Sequence, residues 1–165
     1  MWRKFLIVSS FLIACLFGVS KFYYFGFNLT PSMEKGFYYQ TINQNILQYN
    51  DIIAFELDKE TAKKVHANQY ISDNTKLLKL VAGLAGDKVE IIENQICVTP
   101  QGKKIACVWG KIKEKDKYGN NTVTLLNNCI IPKNKCLALT SHEGSFDSRY
   151  FGLVDISTIT IMKKF

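Results

Sequence analysis

Ser32 follows Thr30-Pro31 in the stretch NLTPSMEKGFYYQ, residues 28–40, a polar turn with two neighbouring hydroxyls. A serine hydroxyl is a weak nucleophile until a base takes its proton. The usual base is histidine, and the chain holds two, His66 and His142. His142 stands in the loop TSHEGSFDSRY, where a lone histidine is most often a solvated side chain. Lysine is the other option, provided it is neutral. Lowering its pKa from ~10.4 to about 8 or below takes roughly 3–4 kcal/mol of burial and electrostatic bias. In KLLKLVAGLAGDKV, strand alternation puts Lys79 on one face with Leu77 and Val81, while Lys76 lies at the strand's start, nearer solvent. A lysine in an apolar strand is neutral, paired or exposed at an edge. Pattern alone favours the last, an edge lysine guarding against aggregation.

The scaffold for these residues is mostly β. Strands are predicted over 51–57, 76–84, 122–131, 135–141 and 154–162, and a hairpin over 88–98 turning at Glu93-Asn94. One short helix is predicted over 57–70. With Gly and Asn turns and no internal repeat, the expected class is mainly β, an antiparallel coiled sheet or partly open barrel. At 165 residues the chain has room for one core-forming domain.

Its net charge of +7 comes almost wholly from lysine, because Arg3 and Arg149 are the only arginines. Guanine reading favours arginine, so no nucleic-acid partner is expected. KIKEKDK (111–117) alternates signs and reads as a solvated face. A diffuse lysine excess suits an anionic lipid surface.

Residues 1–27 read as a cytoplasmic tip and membrane anchor, leaving 28–165 as an exported domain. Arg3 and Lys4 precede an uncharged run from Phe5 to Ser20, which at ~1.5 Å per residue spans roughly 24 Å. Phe22, Tyr23, Tyr24, Phe25 and Phe27 extend it and suit a membrane-interface belt. Two other readings compete: a lipoprotein box, LIAC, with Cys15 lipidated, and a cleaved secretory peptide. The leading charges favour a cytoplasmic N-terminus and a single-pass protein of the inner (plasma) membrane, its domain on the periplasmic or extracytoplasmic side. The domain holds an even number of cysteines, Cys97, Cys107, Cys129 and Cys136, without zinc-ribbon spacing. Disulfides are therefore expected there. Local pairing, Cys97 with Cys107 and Cys129 with Cys136, would contribute on the order of 2–3 kcal/mol per loop. Four reduced, buried thiols are the competing reading.

TPSMEKGFY, LLKLVAGLAGDKV and SFDSRYFG follow the apolar segment in this order, and together they resemble the boxes of the signal peptidase I family. The first and third resemble its conjugative-transfer branch, which matures pilin-type precursors. The similarity runs from residue 28 to 155. It implies Ser32 as nucleophile, Lys79 as general base, and an oxyanion hole made of the Thr30 hydroxyl and the Ser32 N–H. It further implies that Ser145 orients the lysine and that Asp147 and Arg149 form a bracing ionic pair. Gly86 and Asp87 close the strand in a turn and read as structural. Two positions depart from the branch: Glu34 stands where a proline is typical, and Ala85 replaces the proline of G-L-P-G-D. The resemblance implies no metal or cofactor, and an exported, pilin-like precursor bound as an extended strand with small side chains before the cleavage point. An anchored, disulfide-bonded β module without catalysis, or a self-cleaving Ser-Lys protease, are the alternatives.

Overall fold

The computed structural model describes residues 2, 24–41, 46–104 and 106–165. Most of the expected anchor, with Cys15, lies outside them. Among the described residues no helix is long and apolar enough to cross a membrane.

Within these residues, eleven strands form two antiparallel sheets. They are β1 (Phe25–Asn28), β2 (Gly36–Gln40), β3 (Ile52–Phe55), β4 (Leu77–Gly83), β5 (Lys88–Ile92), β6 (Gln95–Thr99), β7 (Cys107–Lys111), β8 (Cys129–Ile130), β9 (Lys135–Leu139), β10 (Val154–Asp155) and β11 (Thr160–Lys164). The larger sheet runs β1-β2-β11-β3-β4-β9-β10, and the smaller β7-β6-β5-β8. Neither closes into a barrel. Two short helices, α1 (Lys59–Lys64) and α2 (Ser148–Phe151), pack beside them.

The hydrophobic pattern explains the site-bearing strand. Leu77, Lys79 and Val81 are buried on one face of β4, and Val81 joins Ile53, Phe55, Cys136 and Ala138 in a core cluster. β4 lies between β3 and β9, with Ile53 opposite Lys79 and Leu139 opposite Leu80. The edge-lysine reading is thereby corrected, since Lys79 sits inside the sheet at 3% exposure. At the end of β4 the register shifts between Val81 and Gly83. A Cβ on Gly83 would lie 2.7 Å from Ile131 Cδ1 and 3.2 Å from Leu137 Cβ, so any larger residue there would push on these two buried side chains.

Other elements differ from the sequence pattern for local reasons. The aromatic extension of the anchor is strand from Phe25 onward, and Phe27 stacks edge-on against Phe37 of β2 at 4.6 Å. The 57–70 helix stops at Lys64, after Asp58 caps its start, and His66 turns left-handed at φ 51°. The hairpin turn at Glu93 and Asn94 forms as expected, both at positive φ, as a tight two-residue turn requires. Of 122–131 only Cys129–Ile130 pairs as strand. The Leu125 N–H and the Thr124 hydroxyl instead bond the carbonyls of Tyr150 and Arg149. The run 154–162 breaks where the Asp155 carboxylate caps the 3-10 turn 156–158.

The disulfide expectation is corrected: Cys97, Cys107, Cys129 and Cys136 are free thiols. Cys97 lies opposite Val108 and Cys107 opposite Val98, so these two cysteines occupy successive register positions and face opposite sides of the sheet. Cys107 and Cys129 sit on β7 and β8, three strand spacings or roughly 14 Å apart, beyond the reach of a disulfide. Cys136 is in the core of the larger sheet.

Candidate active site

Asn28 at the end of β1 organises the turn that carries Ser32. Its Oδ1 accepts from Thr30 N at 3.1 Å and Thr30 Oγ1 at 2.7 Å. Its Nδ2 faces the carbonyls of Thr30, Met33 and Glu34 at 3.1, 2.9 and 3.2 Å. One side chain thus supplies the hydrogen bonds that a short polar loop would otherwise leave to water. The Tyr38 hydroxyl adds a bond to the Glu34 carbonyl. The Glu34 carboxylate itself points out to Lys164 Nζ.

The clamp leaves Ser32 half-buried, with Oγ 3.0 Å from Thr30 Oγ1 and 3.5 Å from Lys79 Nζ. Burial holds Lys79 down to about 8, Asp147 opposes that shift, and Arg149 reinforces it. The two opposing charges are themselves a buried pair. Arg149 Nε and Nη2 donate to the Asp147 carboxylate at 2.8 and 2.6 Å, and Nη2 also reaches the His142 carbonyl at 2.8 Å. Asp147 further accepts from Arg149 N and Thr140 N, tying α2 to the end of β9.

Ser145 is buried in the same cleft, but its hydroxyl has no hydrogen-bond partner among the described residues, so the expected contact to Lys79 is not made here. His142 is exposed, and its Nδ1 accepts from Gly144 N at 3.1 Å rather than approaching Ser32. Gly86 and Asp87 lie at the turn after β4, away from the cleft. The Asp87 carboxylate takes the N–H groups of Leu84 and Gln101 and the Tyr49 hydroxyl, all within 2.9 Å. Gly86 has φ +90° and would set a Cβ 2.5 Å from Gln101 Oε1. Among the described residues no three of His, Cys, Asp or Glu converge as a metal site requires.

The cleft around the pair encloses about 680 Å³. Val65, Ile71, Leu77 and Val123 give it apolar walls, and Tyr70, Phe146 and Tyr150 form a stacked ladder at 5.0 and 6.0 Å. Lys113, Lys115 and Lys117 lie on its rim, so the solvated charge run also borders the site. Sequence reasoning missed Asn28 and Tyr70. An Asn two residues before a threonine is a turn signal that could have found the first.

The signal peptidase, peptidase S26 family model matches residues 1–164, and the chain belongs to this family of serine peptidases. Among solved structures it is similar to a signal peptidase I from Enterococcus faecalis, at 19% identity and a TM-score of 0.42. That match covers 71% of this chain and 97% of the other. No curated protein sequence matches.

Proposed function

We propose that the chain is a membrane-anchored serine endopeptidase that removes leader sequences from exported precursors, of pilin type in a conjugative transfer system, with Ser32 and Lys79 as its dyad. The anchor would hold it in the inner membrane with the catalytic domain outside. The observation that carries the reading is the 3.5 Å approach of Lys79 Nζ to Ser32 Oγ at a lysine 3% exposed. A non-catalytic module has no use for such a lysine, because a buried ammonium without a carboxylate bonded to it destabilises the fold.

In this mechanism neutral Lys79 accepts the Ser32 proton as Oγ attacks the scissile carbonyl. The Thr30 hydroxyl donates to Asn28 in the resting site, leaving its lone pairs to Ser32. Ser32 turns its O–H from Thr30 to Lys79, and Thr30 turns its own from Asn28 towards the oxyanion. One such donor is typically worth ~3–4 kcal/mol. The Ser32 N–H is the second donor. The ammonium then protonates the leaving amine, and water hydrolyses the acyl-enzyme. Ser145, buried and unbonded in the cleft, orients the amine when substrate fills the site. Asp147 and Arg149 brace the base from below.

The test is incubation of purified protein with a pilin-type precursor, read by mass spectrometry. Cleavage by the wild type, absent in Ser32→Ala and Lys79→Ala and retained in Lys76→Ala, is expected. Cleavage by Lys79→Ala at the wild-type rate would remove the base from the reading.

A further inference from the structure

Four lysines line the cleft in addition to the buried one: Lys76, Lys113, Lys115 and Lys117. Two carboxylates, Asp116 and Glu143, stand among them. Asp116 is consumed within its own loop, accepting from Tyr118 N, Asn120 N and the Asn120 amide at 2.8, 2.9 and 3.2 Å, and from the Tyr70 hydroxyl at 3.2 Å. Glu143 meets Lys113 at 3.5 Å. Lys76 lies over the Tyr24 ring and Lys117 over the Tyr118 ring, and neither they nor Lys115 have a carboxylate partner among the described residues.

The hairpin bearing three of these lysines is held in place. Lys115 bridges to Asn121, Thr122 N donates to the Glu114 carbonyl at 2.9 Å, and the Thr122 hydroxyl bonds the Lys113 carbonyl. The Asp116–Tyr70 bond then fastens the hairpin across the cleft, where Tyr70 stacks on Phe146 beside Ser145. Cations without carboxylate partners around a concave, apolar-walled site focus a positive field on whatever enters it.

We propose that this rim selects peptide substrates bearing carboxylate side chains flanking the scissile bond, because the lysines line the same cleft as Ser32. The inference rests on the peptidase reading, but its test is a binding measurement that needs no turnover. Full-length Ser32→Ala protein is titrated with two fluorescent peptides, identical except for three Glu or three Gln flanking a small-residue cleavage point. The Glu peptide should bind about tenfold tighter at low ionic strength, with the gap narrowing as salt rises. Adding K115E and K117E should abolish the preference. Adding K103E and K104E, equal in charge but outside the cleft, should keep it. Equal binding of the two peptides would overturn the proposal, as would equal loss in both double variants. Anionic phosphatidylglycerol vesicles form a separate arm. If K115E/K117E releases vesicles yet keeps the Glu preference, the rim serves a lipid surface and the proposal fails. Wild-type cleavage is read separately: a preserved preference without cleavage of either peptide supports the rim and sinks the peptidase reading alone.

Discussion

The Arg149 guanidinium grips the Asp147 carboxylate through two bonds, at 2.8 and 2.6 Å, with both side chains almost wholly buried. This pair does more than brace α2. Its two charges act on Lys79 in opposite directions, so burial is the chief influence that holds the base down.

Breaking the pair from either side should therefore move the acid limb of activity in opposite directions. Arg149→Met leaves the carboxylate uncompensated, which raises Lys79 and shifts the limb to higher pH. Asp147→Asn leaves the guanidinium and shifts it lower. Each should also lose roughly 3–5 kcal/mol of stability in urea unfolding, the consequence of a buried charge without its partner. Shifts of the same sign in both variants would contradict this electrostatic account.

Lys79 itself should destabilise the fold at neutral pH. Its folded pKa of about 8 lies below its ordinary 10.5, so well below pH 8 both states are charged and the full penalty applies. Between pH 8 and 10.5 the unfolded chain holds the extra proton, and stability rises with pH. A tenfold change in proton affinity is worth about 1.4 kcal/mol, so Lys79→Met should be more stable than wild type by about 3 kcal/mol at pH 7. The gap should shrink towards pH 10.5. Urea unfolding at the two pH values measures it, and a variant no more stable at pH 7 would show that the burial carries no such penalty.

Asn28→Ala should lower kcat with little change in unfolding, because the clamp positions Thr30 and Ser32 on an exposed turn rather than in the core. Misplacement of a nucleophile by about 1 Å can cost roughly a hundredfold. Asn28→Asp keeps the oxygen that accepts from Thr30 and should recover part of the rate. Steady-state kinetics of both variants, with circular dichroism for the fold, provide the check.

Parts of this site were legible in the sequence, and the reasons are physical. Period-two alternation placed Lys79 with Leu77 and Val81, and the three share the buried face of β4. Nothing in that alternation distinguishes an interior strand from an edge, since strand order depends on β3 and β9, pairings distant in sequence. The Glu93-Asn94 turn was visible because its chemistry is local. The strands β1, β2 and β7 were not: they are short, and β1 and β7 leave large apolar side chains such as Phe25, Phe27 and Val108 exposed. Counting cysteines carried no information about which face of a sheet each occupies.

The thiols offer a direct check on that last point. All four domain cysteines should alkylate in unfolded, unreduced protein. In the native state Cys107, exposed on β7, should react first. Cys136 should react last, because burial, aided by Asp155, pushes its thiol up to about 12. Mass shifts that appear only after reduction would restore disulfides to the domain.

The pH dependence of single-turnover cleavage tests the Ser32–Lys79 dyad most directly. A lysine base must lose its proton before it can act, so the rate should rise through an acid limb near pH 8, where burial places Lys79. His142→Ala should keep that limb, because His142 is exposed and bonded within its own loop. An acid limb near pH 6 that vanishes in His142→Ala would assign the base to histidine and contradict the dyad.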